Sequence, residues 1–189
     1  MNLRLACIVE GHGEVSAVPV LLRRIGQAIG SHIQLNIHLP IRFDRSKIVR
    51  PGEIEKAIQL AAAKVGSVGG ILIILDADDD CPAELGPNLM QRSRIARKDM
   101  PIAVVLATRE FESWIIAGAN SIRERFREET LDRLPEAENI RGAKEWLRAR
   151  LKNGRYSPTV DQASLTALFD IEKARSVSPS FDKLWRELE

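Results

Sequence analysis

The sequence predicts an α/β fold: a mainly parallel, four-stranded, Rossmann-like sheet flanked by helices and followed by a helical C-terminal extension. Three observations lead there. Ile71 to Leu75 are all branched and apolar, which suits a strand buried on both faces better than one that alternates. From Leu3 to Ala107, short apolar runs alternate with stretches of helical periodicity, the order of a parallel sheet with right-handed crossovers. Beyond Gly118 the sequence turns charged and helical, with no further convincing strand.

Leu3–Val9 is a first strand, apolar except for Arg4, and it runs into the turn Glu10-Gly11-His12-Gly13-Glu14. Glycines there free the backbone for a close approach to a ligand. Val18, Leu21, Leu22, Ile25 and Ile29 form one helical stripe, with Ser16 as N-cap, Pro19 in the first turn and Gly30 as terminator. Ile33, Leu35, Ile37 and Leu39 alternate with polar residues, as expected of a half-exposed edge strand. A basic loop, Arg42 to Pro51, precedes a second helix marked by Ile54, Ile58, Ala61, Ala62 and Val65 and closing near Gly66. After the central strand, Pro82 to Asp99 reads as a weaker helix interrupted at Gly86-Pro87 and carrying Arg92, Arg94, Arg97 and Lys98. Ile102–Ala107 is the fourth strand.

Further on, Arg141, Lys144, Arg148 and Lys152 recur at helical spacing, so a helix near 141–152 has one basic face. A solvated face is the alternative reading of such a pattern. Tyr156 to Gln162 is a turn and helix start, followed by a helix to about Arg175 and a last one from Ser180 with Phe181, Leu184, Trp185 and Leu188 on its apolar side.

A chain of 189 residues is long enough for one domain with a real core, and 44% hydrophobic with 29% charged residues excludes intrinsic disorder. The net charge of +2 is uninformative; what matters is that acids gather at 76 to 80 while bases gather elsewhere. Cys7 lies in a core strand and Cys81 follows the acidic cluster, without metal-type spacing, so the expected setting is reduced and cytoplasmic. No apolar run approaches membrane-spanning length, and no signal-like start is seen.

The central strand ends in Asp76, Asp78, Asp79 and Asp80. Two unit charges 4 Å apart repel by about 4 kcal/mol at an effective dielectric near 20, so a divalent cation or basic side chains must offset them. In a parallel sheet the carboxyl ends of the strands share one edge, where ligands bind. Glu10, Asp76 and the segment after Ala107 therefore converge.

The Val9-Glu-Gly-His-Gly-Glu14 turn after a first strand, together with Leu75-Asp-Ala-Asp78 after a later one, resembles the TOPRIM domain of topoisomerases, primases and the overcoming-lysogenisation-defect nucleases. Arg109-Glu-Phe-Glu112-Ser-Trp114-Ile-Ile-Ala117, Asp161-Gln162 and Ser178-Pro-Ser-Phe181 look like a small stand-alone TOPRIM-related bacterial family of uncharacterised function, often encoded beside an ATPase. The resemblance implies a TOPRIM-like core at 1–118 and a helical extension at 119–189 packed on it. It further implies metal-dependent phosphodiester cleavage, with Glu10 as a metal ligand or proton-transfer group.

Magnesium or manganese, as one or two ions, suits such chemistry, since carboxylates plus water hold these cations while they stabilise the reacting phosphate. Asp76 and Asp78 are the expected ligands, with Asp80 assisting. Glu14 and Glu112 are candidates for a second ion or its surroundings. Arg109 and His12 are candidates for holding phosphate, and Arg141, Lys144, Arg148 and Lys152 for tracking a nucleic-acid backbone along with the basic loop and Arg92 to Lys98. DNA stands ahead of RNA as substrate, and a partner ATPase and a homodimer belong to the same expectation. Asp79 and Asp80 also read as solvated loop residues, Trp114, Trp146 and Trp185 as core anchors, and His32 and His38 as structural. Two other readings compete: a phosphatase with an acidic pocket, and a non-catalytic subunit that binds metal and a partner. Topoisomerase action is disfavoured, because strand-gating domains are missing and Tyr156 is the only tyrosine.

Overall fold

The computed structural model describes residues 2–30, 34–127 and 136–189. Five strands form one sheet: β1 (Asn2–Val9), β2 (Gln34–Ile37), β3 (Ile41–Arg42), β4 (Gly69–Asp76) and β5 (Ile102–Ala107). Their order is β2-β1-β4-β5, with β3 also pairing with β1, and every pairing is parallel.

The fifth strand arises because the expected edge strand is divided. Leu5 pairs with Ile37 and Ile8 with Ile41, so three steps along β1 answer four along the edge. That extra residue is a bulge, and it falls beside Pro40, which has no N–H to give to a ladder. Leu39, expected on the inner side, is 71% exposed there. Ile33 and His32 lie outside the described residues.

Side-chain alternation along the strands divides the core in two. Leu5, Cys7, Val9, Leu72, Ile74, Val105 and Ala107 face one way and pack with α1 (His12–Ile29), α5 (Glu112–Ala117), α6 (Ala143–Arg150), α8 (Ile171–Val177) and α9 (Pro179–Arg186). Ala6, Ile8, Ile71, Ile73, Leu75, Val104 and Leu106 face the other way, against α2 (Arg45–Ile48), α3 (Glu53–Val65) and α4 (Pro82–Ala96). The C-terminal helices thus complete one face of the sheet. Trp114 and Trp185 are buried in that layer, and Trp146 rests on Phe126 with ring centroids 6.1 Å apart.

Three helices depart from the periodicity reading. α1 starts at His12 and not after Ser16, which leaves Pro19 inside the helix. α4 runs unbroken through Gly86-Pro87. In both cases burial wins over propensity: Val18, Leu21, Leu22 and Ile25 in α1 and Leu89 in α4 are fully buried, and such packing outweighs a proline that costs about 3 kcal/mol in an unsupported helix. The helix expected to reach Arg175 is divided. A π-helical turn, Pro158–Gln162, leads into the short α7 (Ala163–Thr166), and α8 begins afresh where the Asp170 carboxylate accepts the Lys173 N–H at 2.9 Å.

The break has a partner at Gly118, whose carbonyl accepts the Asp170 N–H at 3.0 Å. A Cβ on Gly118 would stand 2.3 Å from the Asp170 carbonyl oxygen and 2.6 Å from the Phe169 ring. Among the described residues no helix is long and apolar enough to cross a membrane. Overpacking of this kind costs about 1–3 kcal/mol. Gly118→Ala is therefore expected to lower the unfolding free energy by that amount, read as a lower urea midpoint with an unchanged slope, and full stability in the variant would show that the two segments are not locked together there.

A candidate active site at the carboxyl edge

Parallel pairing of Val9 with Ile74 brings the ends of β1 and β4 together, so Glu10 and Asp76 emerge side by side. After Glu10 the chain enters α1 directly, and Glu14 in its first turn reaches back, Oε2 accepting the Glu10 N–H at 3.0 Å. The reach is that of a capping box extended by one residue beyond the N-cap, Gly11. It fixes a buried carboxylate under the turn. Burial pushes Glu14 up to about 7; hydrogen bonds from the Glu10 and Gly11 backbone oppose the shift, and the charges of Glu112 and Glu10 add to it. Burial likewise raises Glu10, helped by the charge of Asp78, and Glu10 Oε2 is buried without a hydrogen-bond partner.

Asp76 is the last residue of β4 and is buried. Its Oδ1 accepts the Phe111 N–H at 2.8 Å, while Oδ2 stands 3.6 Å from Lys144 Nζ. Desolvation holds its carboxyl well above the ordinary range; Glu14, Glu112 and Glu10 add to this and Lys144 opposes it. Lys144 Nζ lies 3.0 Å from Glu110 Oε1 and 3.5 Å from Glu112 Oε2 as well. Glu110 also accepts the Lys144 backbone N–H at 3.2 Å, so one carboxylate holds both ends of that residue.

Glu112 is fully buried. Its Oε1 accepts from the Tyr156 hydroxyl at 2.8 Å and from Gln162 Nε2 at 3.3 Å. Burial first, and then the charge and hydrogen bond of Glu112, keep the Tyr156 hydroxyl protonated. No part of Glu112 reaches the surface, and Lys144 stands between it and the cavity at 3.5 Å. The turn that carries Gln162 presses on the glycine turn: a Cβ on Gly13 would meet Gln162 Oε1 at 2.2 Å and the Pro158 carbonyl at 2.4 Å. Glu10, His12, Glu14, Asp76, Lys144 and the Ser157–Gln162 turn together wall a cavity of about 300 Å³.

The exposed aspartates lie beside it. Arg45, from α2, donates from Nε to the Asp76 carbonyl at 2.8 Å and from Nη2 to the Ala77 carbonyl at 3.0 Å; it also pairs with Asp80 and stands 3.6 Å from Asp78. Asp79 takes Arg109 at 2.5 Å and Arg141 at 3.0 Å. Asp78 and Arg109 are the two described residues other than glycine with positive φ, at 49° and 67°. They hold one another: the Asp78 N–H donates to the Arg109 carbonyl at 2.9 Å, and Arg109 Nη1 donates to the Asp78 carbonyl at 3.0 Å.

Of the residues singled out from sequence, Glu10, His12, Glu14, Asp76 and Lys144 line the cavity with Glu112 buried behind Lys144, and Asp78, Arg109 and Arg141 line the neighbouring recess. Asp80 turns to Arg45 instead. The basic face is not assembled as expected. α6 spans only Ala143–Arg150, Lys144 turns inward to the acids, Arg141 precedes the helix on Asp79, and Arg148 and Lys152 are exposed and line neither space. Arg92 pairs with Glu55 at 2.9 Å and Arg97 with Asp99 at 2.7 Å, at the far end of α4 from the acids. Sequence reasoning missed Arg45, the grip of Glu110 on Lys144, and the Tyr156–Glu112 bond. Only the basic character of the loop and the family pattern around Gln162 hinted at them.

A hard divalent ion takes carboxylate oxygens. Glu10 with its unpartnered buried Oε2, Asp76 and Asp78 supply donors of that kind. Among the described residues, no three acidic, histidine or cysteine side chains already stand together as ready metal ligands.

The sequence model of a family described as a domain of unknown function, DUF4276, matches residues 9–189, from the end of β1 to the last residue. The chain belongs to that family. Comparison with curated proteins and with solved structures gave no match. In this member of the family every element of the site described above lies within the matched span or at its first residues.

One consequence concerns pH. A free Glu titrates near 4.5, whereas Glu14 in the fold does so at about 7. Between those values the folded state keeps a proton that the unfolded chain has released, so stability falls as pH rises through the window. Its share is on the order of 3 kcal/mol. Glu14→Gln, whose amide oxygen can still accept the Glu10 N–H, is expected to flatten the stability profile between pH 4.5 and 7. An unchanged slope in denaturation measured across that range would assign the dependence to other groups.

Proposed function

We propose that this protein is a TOPRIM-like nuclease that hydrolyses phosphodiester bonds of nucleic acid, DNA ahead of RNA, using Mg²⁺ or Mn²⁺ held by Glu10, Asp76 and Asp78. One observation carries the reading. Two carboxylates at the ends of adjacent parallel strands, the half-buried Glu10 and the buried Asp76, face an open cavity together with one lysine, and Oε2 of Glu10 is buried and unpartnered. Such a surplus of desolvated negative charge is costly to fold unless a cation joins it. The sequence resemblance to the overcoming-lysogenisation-defect nucleases supports the same chemistry. It is also the basis for including a partner ATPase and a homodimer in the proposal, while the cytoplasmic setting rests on the two unpaired cysteines.

The bound ion would supply Lewis-acid stabilisation of the phosphate and a more acidic attacking water. The remaining work falls to the chain's own groups. The Phe111 N–H fixes the rotation of Asp76. Lys144 offers its ammonium to a non-bridging phosphate oxygen at the cavity wall, and Glu110 and Glu112 keep it there. Tyr156 and Gln162 in turn hold Glu112. His12 stands at the rim, on the first turn of an 18-residue helix whose leading N–H groups favour an anion.

A second reading has its own support. Lys144 already lies among Asp76, Glu110 and Glu112, so the acids also suit a subunit that binds metal weakly and serves a partner without turnover. Incubation of the purified chain with supercoiled plasmid, single-stranded DNA and RNA, each with Mg²⁺ or Mn²⁺, separates the two. Cleavage is expected, and it should be lost in Asp76→Ala while nucleic-acid binding largely persists. Binding without cleavage under all conditions would favour the regulatory subunit, and turnover of a small phosphomonoester alone would favour a phosphatase.

Metal binding should also stabilise the fold. Ligation by the native state alone raises stability by about 2.7 kcal/mol at a hundredfold excess over Kd. The melting temperature should therefore climb with Mg²⁺ or Mn²⁺ in the parent and not in a Glu10→Gln, Asp76→Asn double variant. An equal rise in both would place the ion elsewhere.

A further inference from the structure

Beside the cavity lies a second recess of about 210 Å³, lined by Asp78, Asp79, Arg109, Glu110, Arg141 and Gly142. We propose that Arg109 and Arg141 form a phosphate subsite, and that the Asp79 carboxylate is a built-in occupant which a nucleic-acid phosphate displaces. This rests on the reading of the neighbouring cavity as a phosphodiester site, and it adds where the next phosphate of the strand is held.

Two of the acids in the recess already have their own partners: Asp78 faces Arg45 at 3.6 Å, and Glu110 holds Lys144 at 3.0 Å. That leaves Asp79 as the carboxylate shared by two guanidinium groups. Asp79 binds both through the same oxygen, Oδ1. A tetrahedral phosphate offers separate oxygens to the two arginines, which suits the fork geometry of guanidinium better than a single shared atom.

Exposure makes Asp79 exchangeable. Its side chain is 72% exposed and that of Arg141 is 73% exposed, so their pairing is screened and weak. Arg109 is the fixed partner. Its side chain is only 28% exposed, and its Nη1 is also tied to the Asp78 carbonyl at 3.0 Å. Its positive φ places strain at this spot, and strained backbone of this kind gathers where ligands are held. The recess adjoins the cavity through Glu110, a recess residue whose carboxylate holds Lys144 of the cavity wall at 3.0 Å. A phosphate here would therefore lie next to one held at Lys144.

The test measures binding in EDTA, so that it does not depend on cleavage. A fluorescein-labelled single-stranded DNA 12-mer is titrated with the parent, Asp79→Asn, Arg141→Ala and the double variant, with Glu172→Gln as a control for net charge. Asp79→Asn is expected to tighten binding about fivefold, the scale of one exposed ion pair, and Glu172→Gln to leave it nearly unchanged. The gain should vanish in the double variant. In the Asp79→Asn background, Arg141→Ala should also lower the slope of log affinity against log salt by about 0.7. Unchanged affinity in Asp79→Asn, an equal gain in Glu172→Gln, or a gain that survives Arg141→Ala would each overturn the proposal. Absence of cleavage by the parent chain would leave this binding result unaffected, so the two readings fail separately.

Discussion

Lys144 carries an ammonium into a group of three carboxylates, hydrogen-bonded to Glu110 at 3.0 Å and standing 3.5 Å from Glu112 and 3.6 Å from Asp76. Pairs at such distances are worth about 4 kcal/mol each at an effective dielectric near 20. Desolvating the ions works against that gain, and the balance holds only because other groups satisfy the remaining oxygens. Phe111 N–H, Tyr156 hydroxyl and Gln162 amide do this for Asp76 and Glu112. The placement of α5, α6 and the π-helical turn follows from that requirement. Each of these elements brings one group to the same few ångströms of buried charge.

The loops after β4 and β5 answer a related constraint. Pairing of the two strands continues past their ends, with the Ala77 N–H donating to the Ala107 carbonyl and the Asp78 N–H to the Arg109 carbonyl, both at 2.9 Å. Holding that ladder while the chain turns forces Asp78 and Arg109 to positive φ. The cost of one such residue is about 1–3 kcal/mol. Reciprocal hydrogen bonds between the two loops, together with the clamp of Arg45 on the Asp76 and Ala77 carbonyls, offset it. The aspartates are therefore displayed by a backbone that is fixed on both sides.

Most of the fold was legible in the sequence, because burial leaves a periodic trace. Unbroken Ile71–Leu75 gave a strand covered on both faces, and parallel order alone brought Glu10 beside Asp76. What escaped was decided by tertiary packing. Pro19 and Pro87 read as boundaries, yet the buried faces of α1 and α4 carry the helices through them. The need for positive charge near the acids was legible as well, but not its source. Nothing local marks Lys144 as different from Arg148: both lie on the same short helix at helical spacing, and only the docking of α6 against α5 turns one toward the acids and leaves the other in water. Long-range ion pairing of this kind has no periodicity to read.

The four aspartates after β4 are thus answered by bases of two kinds, and the difference lies in their access to water. Asp76 is buried and meets Lys144, and separating them would leave a charge without solvent. Asp78, Asp79 and Asp80 are more than half exposed, so water can replace their arginine partners at little cost. A charged ligand arriving at this edge can exchange with the second set and not with the first. Rigid charge lies beneath and exchangeable charge above. An anion that approaches therefore meets exposed, exchangeable arginine pairs before it reaches the buried acids and their lysine.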